Sequence, residues 1–296
     1  MNYRTFKKCG WKVSEIGLGG SWFYGRPEEG LLSPEHGIGV VNRALELGVN
    51  YFDTAPLYGK GRSEEILGMA LKDETRPYIL ASKVGYFPEP FDYTRDTVHR
   101  GFEASLKRLQ RDNVDLIQIH EAEQAGWDGI FGKGMTLEAL TELKQQGLVK
   151  QIGLTGSDLD FMAEALKTGE FVSVITFLKY DMLVQAAREK LIPAAVEHDV
   201  AVILASPLHG GLLGSKRDRW LERRFADLRP KVEALETLLA DQSEPITRIG
   251  LRYLLSDPVV TMLLSGVSNI EELEDSVQAS DGVLLAPELI EEIENL

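Results

Sequence analysis

The sequence predicts an α/β protein: a single (β/α)8 TIM barrel with an N-terminal β-hairpin, occupying residues 1–296 as one domain. Three observations carry that expectation. Eight short apolar runs alternate with amphipathic helical segments along the whole chain. Each run is almost continuously apolar, as expected of parallel strands that helices cover on both faces. No Pro/Gly/Ser-rich or low-complexity tract divides the chain. Eight such units favour closure into a barrel over an open doubly wound sheet.

Tyr3 to Phe6 and Trp11 to Ser14 read as the hairpin, and Ile16-Gly17-Leu18-Gly19 as the first barrel strand. Pro34 suits the first turn of a helix that runs to Leu47, with Val40, Val41, Ala44, Leu45 and Leu47 at helical spacing; Gly48 stops it. VNYFDT is the next strand. Ser63 is then expected to cap the helix EEILGMALK, with Glu64 and Glu65 in the first turn, where the helix dipole favours carboxylates. Strand YILASK, helix TVHRGFEASLKRL, strand DLIQIH and helix TLEALTELKQQ follow, the last ending at Gly147. The pattern continues with QIGLT, a helix over 158–167, VSVITF, a helix over 186–197 and VAVILA. A long helical stretch over 232–255, the strand VTMLLS and a helix over 269–279 complete it.

Forty-six acidic residues against 32 basic ones give a net charge of −14, which disfavours nucleic acid and anionic membranes as partners. The single cysteine, Cys9, permits no internal disulfide and fits a reducing compartment. No signal-like or membrane-spanning run is present, so a cytoplasmic protein is expected. The chain has no HxH, HExxH or other ligand-spaced cluster, so no metal is expected. Neither a P-loop nor a GxGxxG follows the first strand, and GLGGS near residue 17 is only a weak match to a phosphate loop.

In barrels of this kind the reacting groups sit at the C-terminal ends of the strands. Those ends offer Asp53 and Tyr58, Lys83, His120, Thr155, and Ser206 to Gly211. A phenol is too weak an acid to exchange protons near neutrality. An ammonium beside it stabilises the phenolate, a carboxylate behind the ammonium keeps it charged, and an imidazole can orient the substrate oxygen. Singly, Asp53 reads as a turn cap and Lys83 as a solvated charge; together, in register with three consecutive strands, they form a coherent set. His36, His99 and His198 read as surface or packing residues, whereas His209 lies in the SPLHGG loop over the barrel mouth.

The segments FDTAPLYG, ASKVG and LIQIH resemble the aldo-keto reductase family, and the similarity runs from the GLGG turn to SGVSNIEEL. That resemblance implies an oxidoreductase moving hydride between a nicotinamide cofactor and a carbonyl or hydroxyl substrate. Tyr58 would be the general acid/base and Lys83 would depress its pKa. Asp53 would pair with Lys83, and His120 would position the substrate. It also implies that SPLHGGLLG wraps the cofactor diphosphate through Ser206, Pro207, Leu208, Gly210, Gly211 and Leu213, and that Gly266, Ser268 and Glu272 enclose the adenosine end. Gly20, Ser21, Asp53, Thr155 and Gly156 complete the expected cofactor contacts.

Glu271 and Glu272 stand where NADP-preferring relatives carry a basic residue, and a carboxylate near the ribose favours a free 2′-hydroxyl. NAD is therefore the expected cofactor, with NADP as the alternative. Thr155-Gly156 replaces the family's common Ser-Asn, and Ala205 replaces a stacking aromatic. Both traits are similar to the branch that oxidises galactose- or fucose-type aldoses at the anomeric carbon. Trp22, Tyr58, His120 and Tyr86 are expected to meet the substrate, with Phe23, Tyr24 and Phe87 extending an aromatic wall for a sugar ring. Two other readings remain open: an NADPH-dependent aldehyde or ketone reductase that uses Arg217 or Arg219 to hold a phosphate, and a nicotinamide-binding regulatory subunit without catalysis. No heptad seam indicates an oligomeric state.

Overall fold

The computed structural model describes residues 1–26, 30–86 and 91–296. The hairpin β1 (Tyr3–Phe6) and β2 (Trp11–Ser14) forms as expected, pairing antiparallel with Tyr3 opposite Ser14. Two-residue strands β4 (Gly25–Arg26) and β5 (Gly30–Leu31) form a minor ribbon after β3 (Ile16–Gly19). The barrel strands are β3, β6 (Tyr51–Asp53), β7 (Ile79–Val84), β8 (Val114–Ile119), β9 (Val149–Gly156), β10 (Ser173–Phe177), β11 (Ala201–Ala205) and β12 (Val260–Ser265). They pair in that order, all in parallel, and β12 closes on β3.

Period-two alternation divides the strand side chains between two cores. Tyr51, Ile79, Ala81, Leu116, Ile175, Ile203, Met262 and Leu264 fill the barrel interior, and Phe6 and Val13 of the hairpin join them from below. Phe52, Leu80, Ile117, Leu154, Val174, Val202 and Leu263 face the helices instead. Arg4 fastens the hairpin: its guanidinium pairs with Glu15 at 2.8 Å and donates to the carbonyls of Asp257 (3.0 Å), Val260 and Leu255. Carbonyls at the end of one helix and the foot of the last strand thus gain a charged donor.

The helical layer departs from expectation in specific places. Helix α1 (Pro34–Glu46) is as expected, but α2 (Arg62–Ala70) is capped at Gly61, not Ser63. Gly61 has φ +93°, and a Cβ there would lie 2.6 Å from Arg108 Cδ, so only glycine suits this turn. Ser63 is buried in the first turn, where its hydroxyl receives a 2.8 Å hydrogen bond from Thr54. Helices α3 (Arg95–Leu109), α5 (Thr136–Gln145), α6 (Leu159–Leu166) and α12 (Ile270–Gln278) appear where periodicity puts them.

The helix expected over 186–197 is two short ones, α7 (Ala186–Lys190) and α8 (Ile192–Glu197), because Pro193 has no N–H to continue the ladder. The long stretch over 232–255 breaks into α10 (Arg229–Leu238) and α11 (Ile246–Leu255), with Pro245 at the start of the second. Helices α4 (Ala122–Phe131), α9 (Arg217–Arg223) and α13 (Pro287–Glu294) were not expected. No described helix is long and apolar enough to cross a membrane.

Candidate active site

Strand alternation and register together build the centre of the site. Tyr51 faces inward, so Asp53 does; Ile79 and Ala81 face inward, so Lys83 does; Leu116 faces inward, so Gln118 does. Asp53 lies opposite Ala81, and Lys83 opposite Gln118, which brings the three polar side chains into one layer at the top of the barrel. The Lys83 ammonium forms an ion pair with Asp53 Oδ1 and donates to the Thr54 carbonyl at 2.9 Å. Gln118 Nε2 donates to Asp53 Oδ2 at 2.7 Å, so both carboxylate oxygens are engaged. Asp53 and Lys83 are each only 2% exposed. Burial opposes the charge on Lys83, but Asp53 and Tyr58 outweigh it and hold the ammonium above its ordinary value.

Tyr58 begins a 3-10 turn (Tyr58–Gly61) in which Gly59 and Lys60 take left-handed conformations. This turn brings its ring within 5.0 Å of Lys83 Nζ, measured to the centroid. The His120 ring meets it edge-on, centroids 6.0 Å apart at 89°. Burial and the Lys83 charge hold the imidazole well below its usual pKa, so it is neutral at physiological pH. Burial also raises the Tyr58 phenol; Lys83 pulls it back but does not win, so the hydroxyl stays protonated at neutrality. The depressed phenol expected from Lys83 alone is therefore a partial effect: desolvation is the larger contribution.

Asp53, Tyr58, Lys83 and His120 open into a cavity of about 430 Å³ over the barrel mouth. Among the expected cofactor residues, Gly20, Ser21, Thr155, Ser206, Pro207, Leu208, Gly210, Gly211, Gly266 and Glu272 line it, as does Trp22. Gly20 is required there: a Cβ would stand 2.4 Å from Ser63 Oγ and 2.8 Å from the Asp53 carbonyl. At the far end Asn269 caps α12, accepting from Glu272 N at 2.8 Å, and Glu272 Oε2 accepts from both Ser268 N (2.8 Å) and Ser268 Oγ (2.9 Å). The Glu272 carboxylate thus occupies the two Ser268 donors just ahead of this helix, and Asn269 occupies the N–H of Glu272.

With this geometry in view, three comparisons bear on identity. Residues 15–296 match the family model described as the aldo/keto reductase family. The chain belongs to the aldo/keto reductase family. It is an NAD(P)-dependent oxidoreductase by that membership. It is 32% identical over 286 residues to L-galactose dehydrogenase of Arabidopsis thaliana, covering 93% of this chain and 87% of that one. It is 24% identical over 277 residues to D-threo-aldose 1-dehydrogenase of a Pseudomonas species, covering 83% and 84%. Among solved structures, a holo-form aldo-keto reductase from Bacillus halodurans superposes with TM-score 0.83 at 28% identity, covering all of this chain and 96% of that one.

Several residues singled out in the sequence lie elsewhere in this oxidoreductase. Gly156 sits beneath Glu123, whose Oε2 would be 2.2 Å from a Cβ at that position. Leu213 is buried in the core, and Ser268 reaches the site only through its bonds to Glu272. Tyr86 stacks on Phe91 at 3.8 Å and meets His120 edge-on; both Tyr86 and His120 line a smaller cavity of about 110 Å³. Phe23 and Tyr24 pack in the core, whereas Trp22 lines the cavity together with Tyr58 and Phe177; Phe87 lies outside the described residues. His209 does not line the cavity: it is buried, bonded to Asp181 at 2.7 Å and packed on Phe225.

Arg217 is committed to Glu236 and Asp218, and Arg219 packs over the Trp220 ring. Sequence reasoning missed Glu121, Lys216 and Asp275, all of which line the cavity. Glu121 immediately follows His120 and could have been found by extending the strand-end rule by one residue. Among the described residues no group of three His, Cys, Asp or Glu is arranged to hold a metal ion.

Proposed function

We propose that the enzyme oxidises an aldose, or a related hydroxyaldehyde, at its anomeric carbon with NAD. The observation that carries the chemistry is the buried Asp53–Lys83 pair set against Tyr58 beside a neutral His120. The residues fit a dinucleotide: Gly20 leaves room where any side chain would clash, and the cavity runs from Lys83 to the N-terminus of α12. Ser206 to Gly211 would hold the diphosphate, with Lys216 as its counter-charge, and Thr155 would replace a side-chain pair at the carboxamide. The bound nicotinamide supplies the two-electron acceptor. Lys83 stabilises the phenolate form of Tyr58, which takes the hydroxyl proton of the sugar and becomes the phenol; Asp53 keeps Lys83 charged, and His120 donates to the substrate oxygen. The names of the Arabidopsis and Pseudomonas relatives support an aldose as substrate.

NAD is favoured over NADP because Glu272 already satisfies the Ser268 donors. A 2′-phosphate would have to displace that carboxylate and then sit beside it. Exchanging the charge tests this directly: Glu272→Arg is expected to move the NADP/NAD ratio of kcat/KM by about 100-fold towards NADP, given roughly 1.5–3 kcal/mol for a charged hydrogen bond. An unchanged ratio would sink the assignment.

The raised phenol predicts the pH dependence. In oxidation Tyr58 must be deprotonated, so kcat/KM should climb with pH through neutrality and level off only in the alkaline range. In reduction the protonated form is needed, so the profile should be flat at neutrality and fall at high pH. That same shift favours the second reading, an NADPH-dependent reductase of aldehydes or ketones, since Tyr58 is poised as an acid near pH 7. The nucleotide comparison separates the two readings, because a reductase of that kind requires NADP(H) to win.

A further inference from the structure

One charged group in the cavity is left without a task by the chemistry above. Glu121 follows His120 in the chain, is half-buried, and lines the same cavity as Tyr58, His120 and Trp22. Its backbone is locked on both sides: its N–H donates to Thr155 Oγ1 at 3.2 Å, and its carbonyl accepts from Tyr93 OH at 3.1 Å. The residue takes φ +47°, a left-handed conformation that few non-glycine residues adopt. The backbone is therefore held in place at a residue whose side chain borders the cavity.

The side-chain hydrogen-bond partner of the Glu121 carboxyl group is the neighbouring carboxyl group of Glu123, itself an acceptor when ionised. Glu123 accepts at Oε1 from Ser157 N (2.8 Å), Ser157 Oγ (2.8 Å) and Asp158 N (3.3 Å). Burial and the neighbouring Glu123 carboxyl group push Glu121 up to about 7, although Lys83 opposes them. Two carboxyl groups that face each other can share at most one proton between them, so a ligand hydroxyl that donates to Glu121 satisfies acceptor capacity that its neighbour does not.

We propose that the Glu121 carboxylate accepts a hydroxyl on the carbon next to the reacting one, and so selects polyhydroxylated substrates over alkyl aldehydes. This rests on the assignment of Tyr58 and His120 as the groups at the reacting oxygen. His120 and Glu121 border the same cavity, so a substrate held at His120 lies in space that the Glu121 carboxylate also lines. A carboxylate offers two acceptor oxygens, so it suits a sugar better than a lone carbonyl. An alkyl chain in the same place would desolvate the carboxylate and return no hydrogen bond. The charged or titratable groups around Glu121 are Glu123, Lys83, Tyr58, His120 and Tyr93.

The test compares wild type with Glu121→Leu and Glu121→Gln on an accepted aldose, its 2-deoxy analogue, and hexanal as the reducible control. NADH binding on the same preparations shows whether each variant is folded. Glu121→Leu should lower kcat/KM for the aldose by about 10- to 100-fold, mostly through KM, as expected for one charge-assisted hydrogen bond. It should lose little further on the 2-deoxy sugar and should gain on hexanal, with Glu121→Gln falling between. A wild-type enzyme with no preference for hydroxylated substrates overturns this inference together with the aldose reading. A wild-type preference that persists when Glu121 is leucine overturns this inference alone.

Discussion

Replacing Tyr58 by phenylalanine is expected to lower turnover by roughly 10²–10⁴-fold in both directions, the range typical of a positioned acid/base. The ring and its edge-on contact with His120 survive the change, so the cavity keeps its shape. Only the hydroxyl near Lys83 is lost. NADH titration should therefore give the affinity of the parent, while initial rates collapse. Rates that survive would mean another group moves the proton, and the mechanism built on Tyr58 would be wrong.

Replacing Lys83 by methionine is expected to damage stability and chemistry together. The ammonium is 2% exposed and its carboxylate partner equally buried, so removal strands Asp53 with Gln118 as its remaining side-chain donor. Losing one partner of such a buried pair costs roughly 3–5 kcal/mol, which urea unfolding will register. The phenol also loses the cation that offsets its burial, so its pKa moves further up and oxidation at neutral pH falls more than reduction does. Pairing Lys83→Met with Asp53→Asn separates the two effects. The double variant should regain part of the stability, because no buried charge is left alone, and none of the activity. If the double variant is as unstable as the sum of the single changes, the pair is not the coupled unit described above.

The barrel was legible because strand alternation and strand-end chemistry are local. All eight barrel strands appear at their apolar runs, and Asp53, Lys83 and His120 follow from counting two residues at a time along three of them. What was not legible depended on contacts between distant segments. Ser63 has the sequence of a helix cap, but Gly61 starts the helix two residues earlier and Ser63 pairs with Thr54 instead. His209 lies in a loop that points to the mouth, yet Asp181 from a different loop turns it into the interior. The phenol's direction of shift was missed for a related reason: Lys83 is visible in the sequence, whereas the degree of desolvation is a property of the assembled cavity. Glu272 was visible as a carboxylate near the ribose site, but its hold on Ser268 was not.

The hairpin at the foot of the barrel has a consequence for traffic. With Phe6 and Val13 seated under Tyr51 and the Arg4 guanidinium fastening them to the last strand, the vessel has a floor. Among the described residues the foot is closed, so reactants and products share the mouth side, where the cavity of about 430 Å³ opens. A departing product and an incoming substrate therefore compete for the same threshold. Inhibition by product is a property of the enclosure itself, and loop changes at the rim can shorten the queue without opening a second exit.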